Sequence, residues 1–377
     1  MTRRWQAPQR GAVDPSFGPS SSGGVATELD ADEHWAVPGA VAVPELVELL
    51  DLADQGRPWL RSRVLCQVAL GEHQLPVPVL TLGSTRADAP VALFVGGVHG
   101  LERIGAQAVL AYLRSLVMRL RWDDSLHHQL DTVRLVFVPV LNPGGMWLGT
   151  RANPNGVDLM RSAPVDADEP VALLAGGHRI SAALPWYRGK LGAPAEVEAT
   201  ALCQVVETEL QRSPFVLALD CHSGFGLSDR LWFPWACSRA PMPHVAELHA
   251  LGQIMDASLI HHRYVLEPQS RQYLTHGDLW DHLYRRAIDR GTGLLLPLTL
   301  EMGSWLWVKK NPRQLFSRRG IFNPELAHRQ QRVLRRHLGG LDFITRAAAS
   351  WQRWLPQGAA RQQHQDQAMV RWYGPRR

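Results

Sequence analysis

Four short segments of this 377-residue sequence carry side chains whose types and spacing suit hydrolysis. Gly96-Gly-Val-His-Gly-Leu-Glu102 follows an apolar run and sets His99 and Glu102 three residues apart, between glycines that let the backbone turn. Leu219-Asp-Cys-His-Ser-Gly-Phe-Gly226 ends a second apolar run and offers His222 as a third donor. Two imidazoles and one carboxylate are the three protein ligands of a catalytic zinc site, with a position left for water. Asp220, two residues before His222 and on the same side of a strand, can orient that imidazole. Leu298-Thr-Leu-Glu-Met-Gly303 ends a third apolar run in Glu301, and a general base beside a metal-bound water gives a buried carboxylate a purpose.

The fourth segment is Arg151-Ala-Asn-Pro-Asn-Gly-Val-Asp-Leu-Met-Arg161, a loop downstream of Asn142-Pro-Gly-Gly. Its two arginines can serve two anionic points, a developing oxyanion and a carboxylate held bidentately. Each residue also has a structural alternative. His99 and His222 could be satisfied core histidines, Glu301 could pair with an arginine, and Arg161 could bridge to Asp158 or Glu102.

Taken together and in this order, GGVHGLERIG, LNPGGMWLGTRANPNGVDLMR, LDCHSGFG and LTLEMG resemble the zinc carboxypeptidases of the carboxypeptidase A type, across most of residues 62–345. The resemblance is to a bacterial, cytoplasmic-type member. It implies one zinc per chain on His99, Glu102 and His222, and Glu301 as the catalytic general base. Arg151 then matches the arginine that polarises the scissile carbonyl, and Arg161 the one that holds a terminal carboxylate. Asn153 and Asp158 of the same loop become candidate substrate-binding residues. Tyr273 matches the family's mobile tyrosine, with packing as its rival role. Met160 departs from the pattern, standing where the family has an asparagine that helps grip the carboxylate. A thioether donates no hydrogen bond.

The implied activity is cleavage of a C-terminal peptide bond. Two alternatives accompany it. One is a zinc amidohydrolase of small N-acyl amino acids or murein peptides with the same metal centre. The other is a catalytically silent binding protein that uses its basic C-terminal helices. The expected partner is a peptide or small amide with an anionic end, with neither nucleic acid nor membrane expected.

Composition agrees with an enzyme-sized globular protein: 45% hydrophobic and 20% charged residues argue against disorder, collagen and coiled coil. The chain lacks an 18-residue apolar run, its start does not read as a secretory signal, and its 4 cysteines show no CxxC pairing. A reducing, cytoplasmic location is therefore expected. From Glu301 onward, 15 Lys+Arg face 4 Asp+Glu, so the basic excess is concentrated at the C-terminal end.

To hold the four segments together, strands and helices must alternate. Arg63–Leu82 predicts a hairpin; Val91–Gly97, Val133–Leu141, Phe215–Leu219 and Leu294–Leu300 read as buried strands. Residues 38–59, Ile104–Leu120, Ala195–Gln211, Asn323–Leu338 and Leu341–Leu355 read as helices, with Glu196, Glu198 and Glu207 on a wet face of the third. The expected fold is a single α/β domain over residues 36–355, with a mixed, mostly parallel central sheet and helices on both faces, of zinc-exopeptidase type. Residues 1–35 are expected to be a flexible leader and 356–377 a polar, basic tail.

Overall fold

The structure is a computed structural model that describes residues 43–375. The expected leader, residues 36–42 and the last two residues lie outside it. In chain order the elements are α1 (Pro44–Gln55), β1 (Leu60–Leu70), β2 (His73–Gly83), β3 (Val91–Gly96), α2 (Arg103–Arg119), α3 (Asp124–Leu130), β4 (Arg134–Val138), α4 (Pro143–Leu148), α5 (Val197–Arg212) and β5 (Phe215–Ser223). There follow β6 (Arg230–Phe233), α6 (Val245–Ser258), β7 (Val265–Pro268), α7 (Leu279–Arg290), β8 (Leu294–Met302), α8 (Trp305–Lys310), α9 (Ala327–Ala349), α10 (Trp351–Trp354) and α11 (Gly358–Ala368).

The strands form one sheet in the order β1-β2-β4-β3-β5-β8-β6-β7. Its centre, β4-β3-β5-β8, is parallel, while β1-β2, β2-β4 and β6-β8 pair antiparallel. Every residue of β3, β4 and β5 is buried, because helices cover both faces and leave neither side wet. On one face Phe94, Phe137, Leu217 and Leu298 pack with the apolar sides of α1, α2 and α9. On the other, Leu93, Val136, Val216 and Leu295 pack with α5 and α7. This is the α/β sandwich expected from the sequence. No helix among the described residues is long and apolar enough to cross a membrane.

Three local expectations change. Both β5 and β8 run past their apolar stretches, so His222 and Glu301 lie inside strands rather than beyond them. The two expected C-terminal helices around Gly339-Gly340 are one helix, α9, over 23 residues. The glycines looked like a break, but an ideal Cβ on Gly340 would lie 2.7 Å from the Tyr264 hydroxyl, so the site needs a small residue, not a turn. The expected polar tail is also folded. Helix α11 packs on α6, with Arg361 bonded to Glu247 at 2.6 Å.

Beyond α11, Trp372 sits 4% exposed in the core; its indole donates to the Leu266 carbonyl at 2.8 Å and meets Phe233 edge-on. Its burial makes the C-terminus part of the stability of the domain. Trp372→Ala is expected to destabilise the protein by about 3–5 kcal/mol, the range for emptying a buried aromatic site. A denaturant titration showing a cost near zero would return residues 356–377 to the status of a solvated tail.

Candidate metal centre and cleft

Parallel pairing sets the site. In register, Gly96 of β3 lies beside Cys221 of β5, and His222 of β5 lies beside Glu301 of β8. The carboxyl ends of the three strands thus open on one side of the sheet, where ligands bind in such folds. After β3 the chain makes a tight turn, with the Glu102 N–H bonded to the His99 carbonyl at 3.0 Å, and enters α2. The glycines in this region permit close approach. A Cβ on Gly100 would run into the backbone of Gly145, and one on Gly105 into the carbonyl of Cys221. The first contact stacks the His99 turn on the Asn142-Pro-Gly-Gly segment. The second presses α2 on β5.

The outcome is that His99, Glu102 and His222, all buried, each offer one ligand atom, and those atoms lie within 4.8 Å of one another. Glu102 Oε2 is 3.0 Å from His222 Nδ1 and accepts from the Ser223 N–H at 3.0 Å. Behind His222, its Nε2 lies 2.8 Å from Asp220 Oδ2, off the line of a hydrogen bond, and the Trp280 indole donates to that same oxygen at 2.9 Å. Trp280 thus holds Asp220 from behind and does not line the cleft. What the reading of satisfied core histidines does not explain is the convergence of both imidazoles and the Glu102 carboxylate on one point of a cleft.

Arg151 enters from the loop after α4. Its guanidinium touches Glu102 Oε1 at 2.9 Å and His99 Nε2 at 2.7 Å, and its Nε donates to Asp158 at 2.8 Å. The salt bridges considered for Arg161 are thus made by Arg151. Arg161 is 3% exposed, donates to the Met160 carbonyl at 3.1 Å, and keeps its Nε without a partner.

A cleft of about 560 Å³ gathers these residues: His99, Glu102, Arg151, Met160, Arg161, His222, Tyr273 and Glu301 all line it. Asn153 and Asp158 do not. Asn153 turns the other way, donating to Glu196 at 2.7 Å and to Glu198, and so pins the arginine loop onto α5. Asp158 is fully buried between Arg151 and His99, 3.7 Å from His99 Nδ1. Sequence reasoning missed Asp278, Gln269, Phe225 and Trp186, which also line the cleft. Only Asp278 had a visible signal, as the N-cap of α7. Trp232 and Trp305 complete the aromatic side of the cleft.

The electrostatics describe a site built for a cation. Burial lowers His99, and Arg151 adds to that, so it is a neutral donor. Burial also opposes charge on His222, but Asp220 and Glu102 outweigh it and raise its pKa well above the ordinary value. Burial disfavours the Glu102 anion too, yet His99, His222 and Arg151 bring it down to about 2. Glu301 is pushed up to about 8, first by burial and then by the Glu102 charge. A divalent ion among these groups would reverse the penalty on Glu301. Two imidazoles and a carboxylate, mutually close and dry, fit zinc.

A mixed sheet with such a cluster at the ends of its parallel strands defines the class of zinc-exopeptidase folds. Residues 69–291 match the family described as zinc carboxypeptidase, more than half of the chain, and the protein belongs to that family. It is 30% identical over 99 residues to carboxypeptidase M of Mus musculus, covering 23% of this chain and 22% of that one. It is 34% identical over 94 residues to murein peptide amidase A of Escherichia coli, covering 25% and 34% respectively. These alignments span about a fifth to a third of the curated relatives' own length. In fold it is similar to bovine thrombin-activatable fibrinolysis inhibitor solved with tick carboxypeptidase inhibitor: TM-score 0.60, 17% identity, covering 81% of this chain and 97% of that chain.

The loop that carries Arg151 leans on a buried acid. Glu198, expected on a wet face, is 1% exposed, and burial raises it to about 7. The folded state therefore keeps a proton there that the unfolded chain gives up at its ordinary value near 4.5, so this group weakens the fold increasingly as pH rises from about 4.5 to 7. Glu198→Gln keeps the acceptor for Asn153 and removes the charge. Urea titrations should show it more stable than the wild type by about 1–3 kcal/mol at pH 8 and equal to it near pH 4. A pH-independent difference would show that burial of the charge is not what matters there.

Proposed function

We propose that this chain removes the C-terminal residue of a peptide by hydrolysis, with zinc held by His99, Glu102 and His222. The observation that carries this reading is the convergence of the three ligand atoms, Glu301 and two arginines on one cleft. When bound, zinc supplies Lewis acidity, lowering the pKa of a water and polarising a carbonyl.

The remaining work falls to the chain. Glu301 accepts the proton of the attacking water and passes it to the departing amine, a role its cleft-facing position suits once a bound cation restores its charge. The Arg151 guanidinium lies against His99 and Glu102, where it can donate to the oxyanion as it forms. Arg161, with a free donor in the cleft, holds the substrate's terminal carboxylate. Tyr273 closes the wall beside it, its ring 5.7 Å from Phe225 and 5.9 Å from Trp232. Asp158 and Asp220 position the two imidazoles from behind.

A second reading keeps this centre but changes the substrate to a small acyl amino acid or a murein peptide. Met160 favours it, since it lines the cleft beside Arg161 with no donor to offer a carboxylate. The stretch similar to murein peptide amidase A points the same way.

Metal analysis and kinetics on the full chain test both readings. The wild type should bind about one zinc, and His222→Ala should lose it. Glu301→Gln should keep zinc while kcat falls by about 10²–10⁴-fold. Peptides with a free C-terminus should be cleaved and their amidated counterparts spared. Zinc binding with cleavage only of acyl amino acids or murein peptides would select the second reading. Absence of zinc from the wild type would remove both.

A further inference from the structure

The segment after Glu301 forms one rim of the cleft and carries charge that makes no ion pair among the described residues. It leaves β8, forms α8, and returns through residues 311–326 to α9. Trp305, Ile321 and Phe322 face the cleft. The rim is tied to the turns that carry the candidate ligands. The Trp305 indole donates to the Gly224 carbonyl at 3.0 Å, Ser223 Oγ donates to the Phe322 carbonyl at 2.7 Å, and Asn323 donates to the Leu101 carbonyl at 2.7 Å.

Between residues 309 and 319 stand Lys309, Lys310, Arg313, Arg318 and Arg319, all exposed. The acidic residue nearest in sequence on the rim is Glu325. None of the five makes an ion pair among the described residues. Some surface arginines elsewhere are partnered, such as Arg86 with Asp88, Arg114 with Glu48 and Arg290 with Glu207, whereas Arg61, Arg121, Arg332, Arg335 and Arg353 are exposed without an ion pair among the described residues. What distinguishes the rim is density: five such cations within eleven residues, on a segment whose two ends, at Trp305 and at Ile321 and Phe322, line the cleft.

We propose that this rim binds an acidic stretch of the substrate on the acyl side of the cleaved bond, a specificity that rests on the proposed carboxypeptidase reading. The direction follows from the geometry of removing one terminal residue. The leaving residue ends at Arg161 inside the cleft, so any further length of substrate must leave through the mouth on the acyl side. There it passes the segment whose ends line the cleft and whose middle carries the five cations. Exposed like-charged groups beside a cleft raise the local concentration of an oppositely charged ligand and speed its association, and salt screens the effect. A peptide suits this rim better than a nucleic acid, because the cleft it borders is built around an amide.

The test uses the full chain and two peptides that share one C-terminal residue and differ only upstream, five Glu in one and five Gln in the other. At low salt the Glu peptide should have a kcat/KM about tenfold higher, chiefly through KM, and about 0.5 M salt should abolish the difference. Lys310→Ser/Arg313→Ser/Arg318→Ser should lose the preference and leave the Gln peptide unchanged. Equal use of both peptides, or a preference retained by the triple variant, overturns the proposal. Fluorescence anisotropy with Glu301→Gln separates it from the hydrolytic reading. If neither peptide is cleaved but the Glu peptide still binds about tenfold more tightly through the rim, the rim stands and the hydrolytic reading falls. If the two peptides bind alike, or a single-stranded DNA oligonucleotide binds the rim more tightly than the Glu peptide, the rim proposal falls.

Discussion

The pairing of β5 with its two parallel neighbours carries the rest of this structure. Three strands end together because their backbones are hydrogen-bonded in one register, and that register puts His222 beside Glu301 and the His99 turn one strand away. A one-residue slip in either pairing would turn the side chain to the opposite face of the sheet and dissolve the cluster. The apolar runs of β3, β5 and β8 hold the register with burial on both faces. The glycines at 100 and 105 then let the neighbouring turn and helix close to contact.

On that frame the protein accumulates charge that a core would not tolerate alone. Glu102, Asp158 and Asp220 are buried and Glu301 nearly so, with Arg151 and Arg161 among them. Isolated ions in such a place are costly, and they are kept only when paired or when they hold a metal. Burial raises Glu301 first and the Glu102 charge adds to it, while His222 rises against its own burial because Asp220 and Glu102 stand beside it. Arg151 compensates in part, touching two of the three candidate ligands. The same electrostatic logic explains why Asp220 and Asp158 stand behind the imidazoles.

Much of this was legible because the signals are local. A histidine or carboxylate at the end of a buried run stands out against apolar neighbours, which singled out His99, Glu102, His222 and Glu301, the residues that the fold brings to one cleft. The elements were read with similar success where periodicity was strong, as in β3, α2 and β8. Errors came where a residue's role depends on what packs against it. Glu198 looked wet from its helical position, yet the arginine loop covers it. Gly339-Gly340 looked like a helix break, yet the backbone continues and the tyrosine at 264 uses the space. Polar residues after 356 looked like a tail, yet α11 finds its partner in α6, more than a hundred residues earlier.

The division follows from the range of the forces. Composition, apolar periodicity and turn chemistry act over a few residues, so the one-dimensional chain already specified the sheet class, the strand ends and the types of side chain placed there. Whether Asn153 faces the cleft or α5, whether Trp280 reaches substrate or braces Asp220, and which arginine pairs with Glu102 were settled only when distant segments met. Those outcomes depend on distances of a few ångströms between residues 43 to 60 positions apart, which no local pattern encodes. The unpaired rim at 309–319 belongs to the same class. Its charge is written in the sequence, but its lack of ion pairs among the described residues and the placement of its two ends on the cleft are properties of the folded molecule.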